Sequence, residues 1–144
     1  MSSKRNIDIF SGLVLILSFI ALVMVIIGDF AYAYIGGYTY YHSCLTCENS
    51  TTGDYISQIF IIILLIFQII ISINNLLPNK FIPKDTTKIG LIFAGLTFIF
   101  TIIGLISFGI GYVLYDWWPD IGFYGPVVAG ILNTILFYLK LKNQ

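Results

Sequence analysis

Four long apolar segments constrain this chain more than any other feature, because each is long enough to cross a membrane. They cover approximately residues 7–35, 55–75, 89–114 and 121–141, and a bilayer core about 30 Å thick needs roughly 20 apolar residues per helix. Only 10% of the residues are charged, far below the share of about 25% in soluble domains. Residues 1–144 are therefore predicted to form a single all-α domain, an antiparallel four-helix transmembrane bundle.

The basic residues are confined to three places along the chain. They are Lys4, Arg5, Lys80, Lys84, Lys88, Lys140 and Lys142. The predicted outer loops, residues 36–54 and 115–120, contain acidic side chains but no Lys or Arg. Because Lys and Arg are enriched in cytoplasmic loops, the inner loop, residues 76–88, and both termini are predicted to be cytoplasmic. The chain is thus expected to be a multi-pass protein of a cell membrane or a viral envelope. Its formal net charge of zero gives no reason to expect nucleic-acid binding.

Small residues recur on one face of the third span. They are Gly90, Ala94, Thr97, Thr101, Gly104 and Gly111. Helices in lipid gain little from hydrophobic association, so small residues that let two backbones approach closely are typical of helix contacts. This face is predicted to pack inside the bundle. Binding of another protein to it is the alternative.

Three polar residues within the spans lie at a similar predicted depth. Counting about 1.5 Å per residue from the cytoplasmic ends, Gln68, Thr97 and Asn133 fall in one layer. Hydrogen bonding between helices is the simpler interpretation, because an unpaired amide is costly to bury. A ligand or proton site is the alternative, although no charged residue lies at the middle of a span.

Aromatic residues are concentrated on the predicted outer side. The proposed aromatic cap comprises Tyr38, Tyr40, Tyr41, Tyr115, Trp117, Trp118 and Tyr124. The cap has two interpretations. It could be self-packing of short loops, or a docking surface for another chain or a lipid headgroup, because a large exposed apolar patch commonly marks an interaction site.

The first outer loop holds the only two cysteines, Cys44 and Cys47. An oxidising location favours a disulfide between them, and thiol–disulfide exchange is the alternative for this spacing. No metal site or cofactor is predicted, because His42 would bring the local ligand count only to three of the four that zinc needs. Asn49 begins an Asn-Ser-Thr sequence and is a candidate for glycosylation.

The order of these parts resembles the claudin and peripheral-myelin-protein superfamily of four-span proteins. Tyr41 stands three residues before Cys44, where that family has a Trp. The segments 88–96 and 120–125 are similar to its third and fourth spans. The resemblance implies both termini inside, and it makes self-assembly or pore formation an alternative function. The family's first outer loop is longer, folds as a small sheet, and separates its cysteines by more residues.

A Cys-x-x-Cys pair in the first outer loop also resembles the four-span disulfide-generating enzymes of the bacterial periplasm. That resemblance implies a quinone-linked oxidoreductase in which Cys44 and Cys47 are the redox pair. These enzymes use a second cysteine pair in the other outer loop, and this chain has none there.

The features together favour a protein without catalytic activity. We expect an integral membrane structural or accessory subunit that packs in a larger assembly through its spans and its aromatic cap. The expected partners are the lipid bilayer and either other membrane subunits or further copies of the chain.

Overall fold

The computed structural model describes residues 8–37 and 39–144. Its elements in chain order are α1 (Ile9–Ile27), β1 (Ala31–Ile35), β2 (Thr39–Ser43), α2 (Thr52–Leu76), α3 (Thr87–Gly111), β3 (Asp116–Pro119) and α4 (Ile121–Lys142). All four helices are long and apolar enough to cross a membrane. The prediction of a mostly helical chain with four spans is therefore confirmed.

The helices form a ring in which each packs against two neighbours, in the order α1, α2, α3, α4 and back to α1. The three strands form one antiparallel sheet in the order β2-β1-β3. Because β1 and β2 connect α1 to α2, and β3 connects α3 to α4, this sheet gathers four helix termini at one end of the bundle. We call it the sheet end. The opposite end carries Lys80, Lys84, Lys88, Lys140 and Lys142, and we call it the lysine end.

Large apolar side chains cover the outside of the bundle as well as its interior. Phe30, Phe108 and Phe137 are fully buried between the helices, whereas Ile16 and Ile103 are about half exposed. An exterior of this kind would be a liability in water but matches the hydrocarbon of a bilayer.

The small residues of α3 pack mainly inside the bundle. Gly90, Ala94, Thr97, Thr101 and Gly104 are buried, and Gly111 at the end of the helix is exposed. A Cβ atom on Gly90 would lie only 2.5 Å from the ring of Phe137 on α4. The α3–α4 contact also depends on Gly130, where a Cβ would lie 2.9 Å from the backbone nitrogen of Phe98.

The all-α prediction is wrong at the sheet end. The first span was expected to continue to residue 35, but α1 ends at Ile27 and residues 31–35 form β1. Ala and Tyr alternate along β1 with a period of two, which suits a strand with one buried face. Gly36 and Gly37 then adopt positive φ angles of 66° and 87°, which L-residues with a Cβ rarely adopt, and the chain reverses into β2. The predicted outer loops 36–54 and 115–120 contain β2, the start of α2, and β3.

An ion pair joins α1 to α4 at the lysine end. Asp8 is the N-cap residue of α1, and its carboxylate accepts a hydrogen bond from the Ser11 backbone N–H at 3.1 Å. Lys140 Nζ contacts the Asp8 carboxylate and donates to Ser11 Oγ at 2.8 Å. Burial alone would raise the pKa of Asp8, but the hydrogen bonds from Lys140 and Ser11 lower it below its ordinary value of 3.8.

A pH-dependent contribution to stability follows from this pair. A carboxylate whose pKa is lowered on folding stabilises the folded state at pH values above its ordinary pKa. This contribution is lost as the pH falls through the pKa of the folded state. Lys140→Met should lower the free energy of unfolding by about 1 kcal/mol at neutral pH, and the difference should shrink below pH 3.8. Denaturant titration of the detergent-solubilised protein measures it, with the exposed Lys142→Met as control. Equal effects of the two substitutions would contradict the assignment.

Candidate functional site

The sheet has one face against the helices and one face directed away from them. Ala31 and Ala33 of β1 are fully buried on the inner face. Ala33 pairs with Tyr41 of β2 on one side and with Trp117 of β3 on the other. Both aromatic side chains are partly buried. The ring of Trp117 packs against Gly109 of α3, so closely that a Cβ atom added to Gly109 would be only 2.3 Å from the ring. The inner face therefore closes the sheet end of the bundle.

The other face carries the alternate residues of the three strands. This outward face consists of Tyr32, Tyr34, Tyr40, His42, Asp116 and Trp118. Tyr40 and Trp118 are 56% and 47% exposed. Because the strands hold them in register, these residues form a preorganised surface.

A shallow cavity of about 410 Å³ opens on the outward face. It is lined by Tyr32, Tyr34, Tyr40, Asp116 and Trp118. The rings of Tyr32 and Trp118 stack with their centroids 5.8 Å apart, and those of Tyr34 and Tyr40 are 5.1 Å apart. The exposed carboxylate of Asp116 forms no ion pair with any residue that the structure describes. The cavity thus combines four aromatic rings with one available negative charge.

A close contact between a histidine and a carboxylate lies at the edge of the outward face. His42 Nδ1 is 2.7 Å from Asp29 Oδ2, and both side chains are partly exposed. Since Asp29 lies between α1 and β1 and His42 lies on β2, the pair ties the start of the sheet to its edge strand.

Beneath the sheet is a buried polar cluster that sequence reasoning missed. Asp54, Gln58 and Ser43 are all 0% exposed. Ser43 Oγ donates to Asp54 Oδ2 at 2.9 Å and accepts from Gln58 Nε2 at 3.1 Å. Asp54 Oδ1 and Gln58 Oε1 have no hydrogen-bond partner among the described residues. The only available sequence signal was Thr51-x-x-Asp54, a spacing typical of a helix N-terminus.

Cys44 and Cys47 form a disulfide directly after β2. The Cys44 backbone N–H donates to Ser50 Oγ at 3.2 Å, and Ser50 Oγ donates to the Cys44 carbonyl at 2.9 Å. The disulfide therefore belongs to a short, internally bonded turn between β2 and α2. Asp29 lies close to both sulfurs, but a disulfide sulfur is not the thiolate form that binds metal.

Asn49 lies in the same connection, with an exposed side chain. Its carbonyl oxygen accepts a hydrogen bond of 2.6 Å from the hydroxyl of Tyr112. Burial, together with the nearby Asp54 carboxylate, raises the pKa of Tyr112 above its ordinary value, so Tyr112 donates in its neutral form. Glycosylation of Asn49 stays a prediction.

The structure divides the aromatic cap between different surfaces. Tyr40 and Trp118 line the cavity, whereas Tyr41 and Trp117 lie on the inner face of the sheet. Tyr115 and Tyr124 are exposed outside the cavity lining. Tyr38 lies outside the described residues.

The polar residues within the spans form one hydrogen-bonded layer across all four helices. Gln68 Nε2 donates to Thr97 Oγ1 at 2.8 Å. Asn133 Nδ2 donates to Gln68 Oε1 at 2.8 Å and to Ser18 Oγ at 2.9 Å. All four side chains are fully buried. The structure thus brings together Gln68, Thr97 and Asn133 and adds Ser18 on α1, which the sequence did not single out.

No protein-family profile, curated protein or solved structure matches the chain. The four apolar helices indicate a multi-pass membrane protein in contact with the lipid bilayer.

Proposed function

We propose that the chain is a non-catalytic accessory subunit of a membrane assembly, and that its outward face docks the partner. The observation that carries the proposal is the exposed aromatic surface on a hydrogen-bonded sheet, with Tyr40 and Trp118 about half exposed. Tyr and Trp are enriched among the residues that dominate binding energy at protein interfaces. A surface held in register by three strands also loses little conformational entropy on binding.

The distribution of charge supports an orientation with the sheet end outside and both termini in the cytoplasm. From residue 8 onward, every Lys lies at the lysine end. Residues 28–51 and 112–120, at the sheet end, contain no Lys or Arg. The positive-inside rule assigns the lysine end to the cytoplasm. Partners would then meet the outward face from the outer side of the membrane.

Charge also indicates the kind of partner. The sheet end carries Asp29, Glu48, Asp116 and Asp120, and the segments 28–51 and 112–120 contain no Lys or Arg. Complementary potentials favour association and reject partners of like charge. We therefore propose a partner chain that presents basic side chains to the outward face.

The buried chemistry favours a structural role over an enzymatic one. A thiol–disulfide relay needs a second redox pair to pass electrons onward, and Cys44 and Cys47 are the only cysteines of the chain. The polar layer of Gln68, Thr97 and Asn133 is occupied by bonds between the helices themselves, which supports a role in holding the bundle together.

Substitutions on the outward face test the proposal. Because each side chain is about half exposed, the double variant Tyr40→Ser, Trp118→Ser should still fold, with a melting profile close to that of the unaltered chain. It should bind its partner at least about tenfold more weakly, the loss expected on removing two aromatic anchors. The measurement is the mass and stoichiometry of complexes extracted from native membranes in mild detergent. Tyr138→Ser is the matched control, since Tyr138 is 58% exposed near the lysine end. Retention of the partner by the double variant would reject the docking role of this face.

Self-assembly of the claudin type is a second candidate. The observation that favours it is the small antiparallel sheet that follows the first helix, because the first outer loop of that family also folds as a small sheet. Complexes made only of this chain would support self-assembly over a foreign partner.

A further inference from the structure

We propose that the cavity of the outward face binds an organic ammonium ion. The inference deepens the proposed function and rests on it, because it names the chemistry of the group that the docking face accepts. Its basis is the lining of the cavity, which consists of four aromatic side chains and one carboxylate around a volume of about 410 Å³.

The register of the sheet builds the walls of the cavity. Tyr32 on the central strand pairs with Trp118, and their rings stack at 5.8 Å with 30° between the planes. Tyr34 pairs with Tyr40 on one side and with Asp116 on the other. The Tyr32 and Tyr40 rings, 6.2 Å apart and inclined at 59°, connect the two groups. Backbone pairing thus fixes the position of every residue in the lining.

The chemistry of this lining selects a cation. Aromatic ring faces carry negative electrostatic potential and attract ammonium groups, and several rings around one site are typical of sites for methylated ammonium ions. The Asp116 carboxylate supplies a countercharge at the same site and would repel an anion. Among the described residues no Lys or Arg contacts Asp116, so its charge is available to a ligand.

Choline is the probe for this site, and Trp118 is the reporter. In a Trp117→Phe background Trp118 is the single tryptophan of the chain, and its fluorescence should change saturably as choline is added. The uncharged isostere 3,3-dimethylbutan-1-ol should bind at least about tenfold more weakly, because it keeps the shape and lacks the charge. Ligand-observed NMR of the choline methyl groups on the unaltered chain gives a second readout. No binding in either assay, or equal binding of the isostere, would overturn the proposal.

Two pairs of variants test the assignment to individual residues. Asp116→Asn should weaken choline binding about tenfold, whereas Glu48→Gln, which removes an exposed carboxylate outside the lining, should leave it unchanged. Tyr40→Leu should weaken binding about threefold, and Tyr115→Leu, at an exposed tyrosine outside the lining, should not. Equal losses within either pair would overturn the site as assigned.

The source of the ammonium group is decided by reconstituting the protein in nanodiscs. If free choline binds equally in phosphatidylglycerol and phosphatidylcholine nanodiscs, the site takes a cation from solution or from a partner. If phosphatidylcholine alone produces the Trp118 signal and blocks free choline, the site takes a lipid headgroup. Both outcomes support an ammonium site.

The two proposals fail separately. If choline binds, but the Tyr40→Ser, Trp118→Ser variant keeps every partner of the unaltered chain, the cation site is retained and the docking role is rejected. If the Tyr40→Ser, Trp118→Ser variant loses its partner, but the unaltered chain does not bind choline, the docking role is retained and the ammonium site is rejected.

Discussion

Gly104→Leu is expected to lower the free energy of unfolding by about 3 kcal/mol, the upper range for overpacking a core. A Cβ on Gly104 would lie 2.9 Å from the Cβ of Ser57 on α2 and 3.1 Å from the ring of Phe30. Three elements meet at this point, since Phe30 leads from α1 into the sheet, so the larger side chain must separate α3 from α2 or displace the sheet. Unfolding of the detergent-solubilised protein, followed by circular dichroism, measures the loss.

Gly95→Leu is the matched control on the same helix. A Cβ on Gly95 would have nothing within 4 Å, and replacing glycine in a helix interior gains up to about 1 kcal/mol of helix propensity. This variant should therefore be as stable as the unaltered chain or more stable. If Gly104→Leu and Gly95→Leu behaved alike, the close packing of α3 against α2 and Phe30 would be contradicted.

Gln68→Leu is expected to destabilise the bundle by about 1–3 kcal/mol. Gln68 is the centre of the polar layer, since it donates to Thr97 and accepts from Asn133. The Oδ1 atom of Asn133 already has no hydrogen-bond partner among the described residues. Loss of the Gln68 amide therefore leaves the Asn133 side chain with a single hydrogen bond, the one to Ser18. Unsatisfied polar groups in a buried site cost more than the hydrogen bonds contribute when they are made.

A double-mutant cycle separates this network from a simple loss of packing. Because replacing both partners by apolar groups of similar shape can be nearly neutral, Gln68→Leu, Asn133→Leu should be less destabilised than the sum of its single variants. Additive free energies of unfolding in the cycle would mean that the two amides act independently, in contradiction to the hydrogen bond of 2.8 Å between them.

The spans could be read from the sequence because each is a long, continuous apolar run and lipid leaves the backbone few alternatives to a helix. The depth of Gln68, Thr97 and Asn133 followed from a fixed rise per residue and the positions of the basic loops. Ser18 could not be selected in this way, because a serine in a span can bond to its own helix backbone and needs no partner on another helix.

The sheet could not be predicted because its central strand, β1, lies within the apolar segment that begins with α1. Residues 31–35 are as apolar and aromatic as an interfacial helix end, and their period-two pattern lasts for only five residues. Pairing of β1 with β3 joins residues 31–34 to residues 116–119, a contact that local pattern cannot reveal. The two orientations of the cap residues, with Trp117 inward and Trp118 outward, follow from that pairing.

The mass of the wild-type protein, extracted from its native membrane in mild detergent, tests the central claim most directly. A single chain has a mass of 16.2 kDa. We predict a complex that contains a second, different polypeptide in fixed stoichiometry with this chain. A stable protein with the mass of one chain, together with its detergent, would contradict the account.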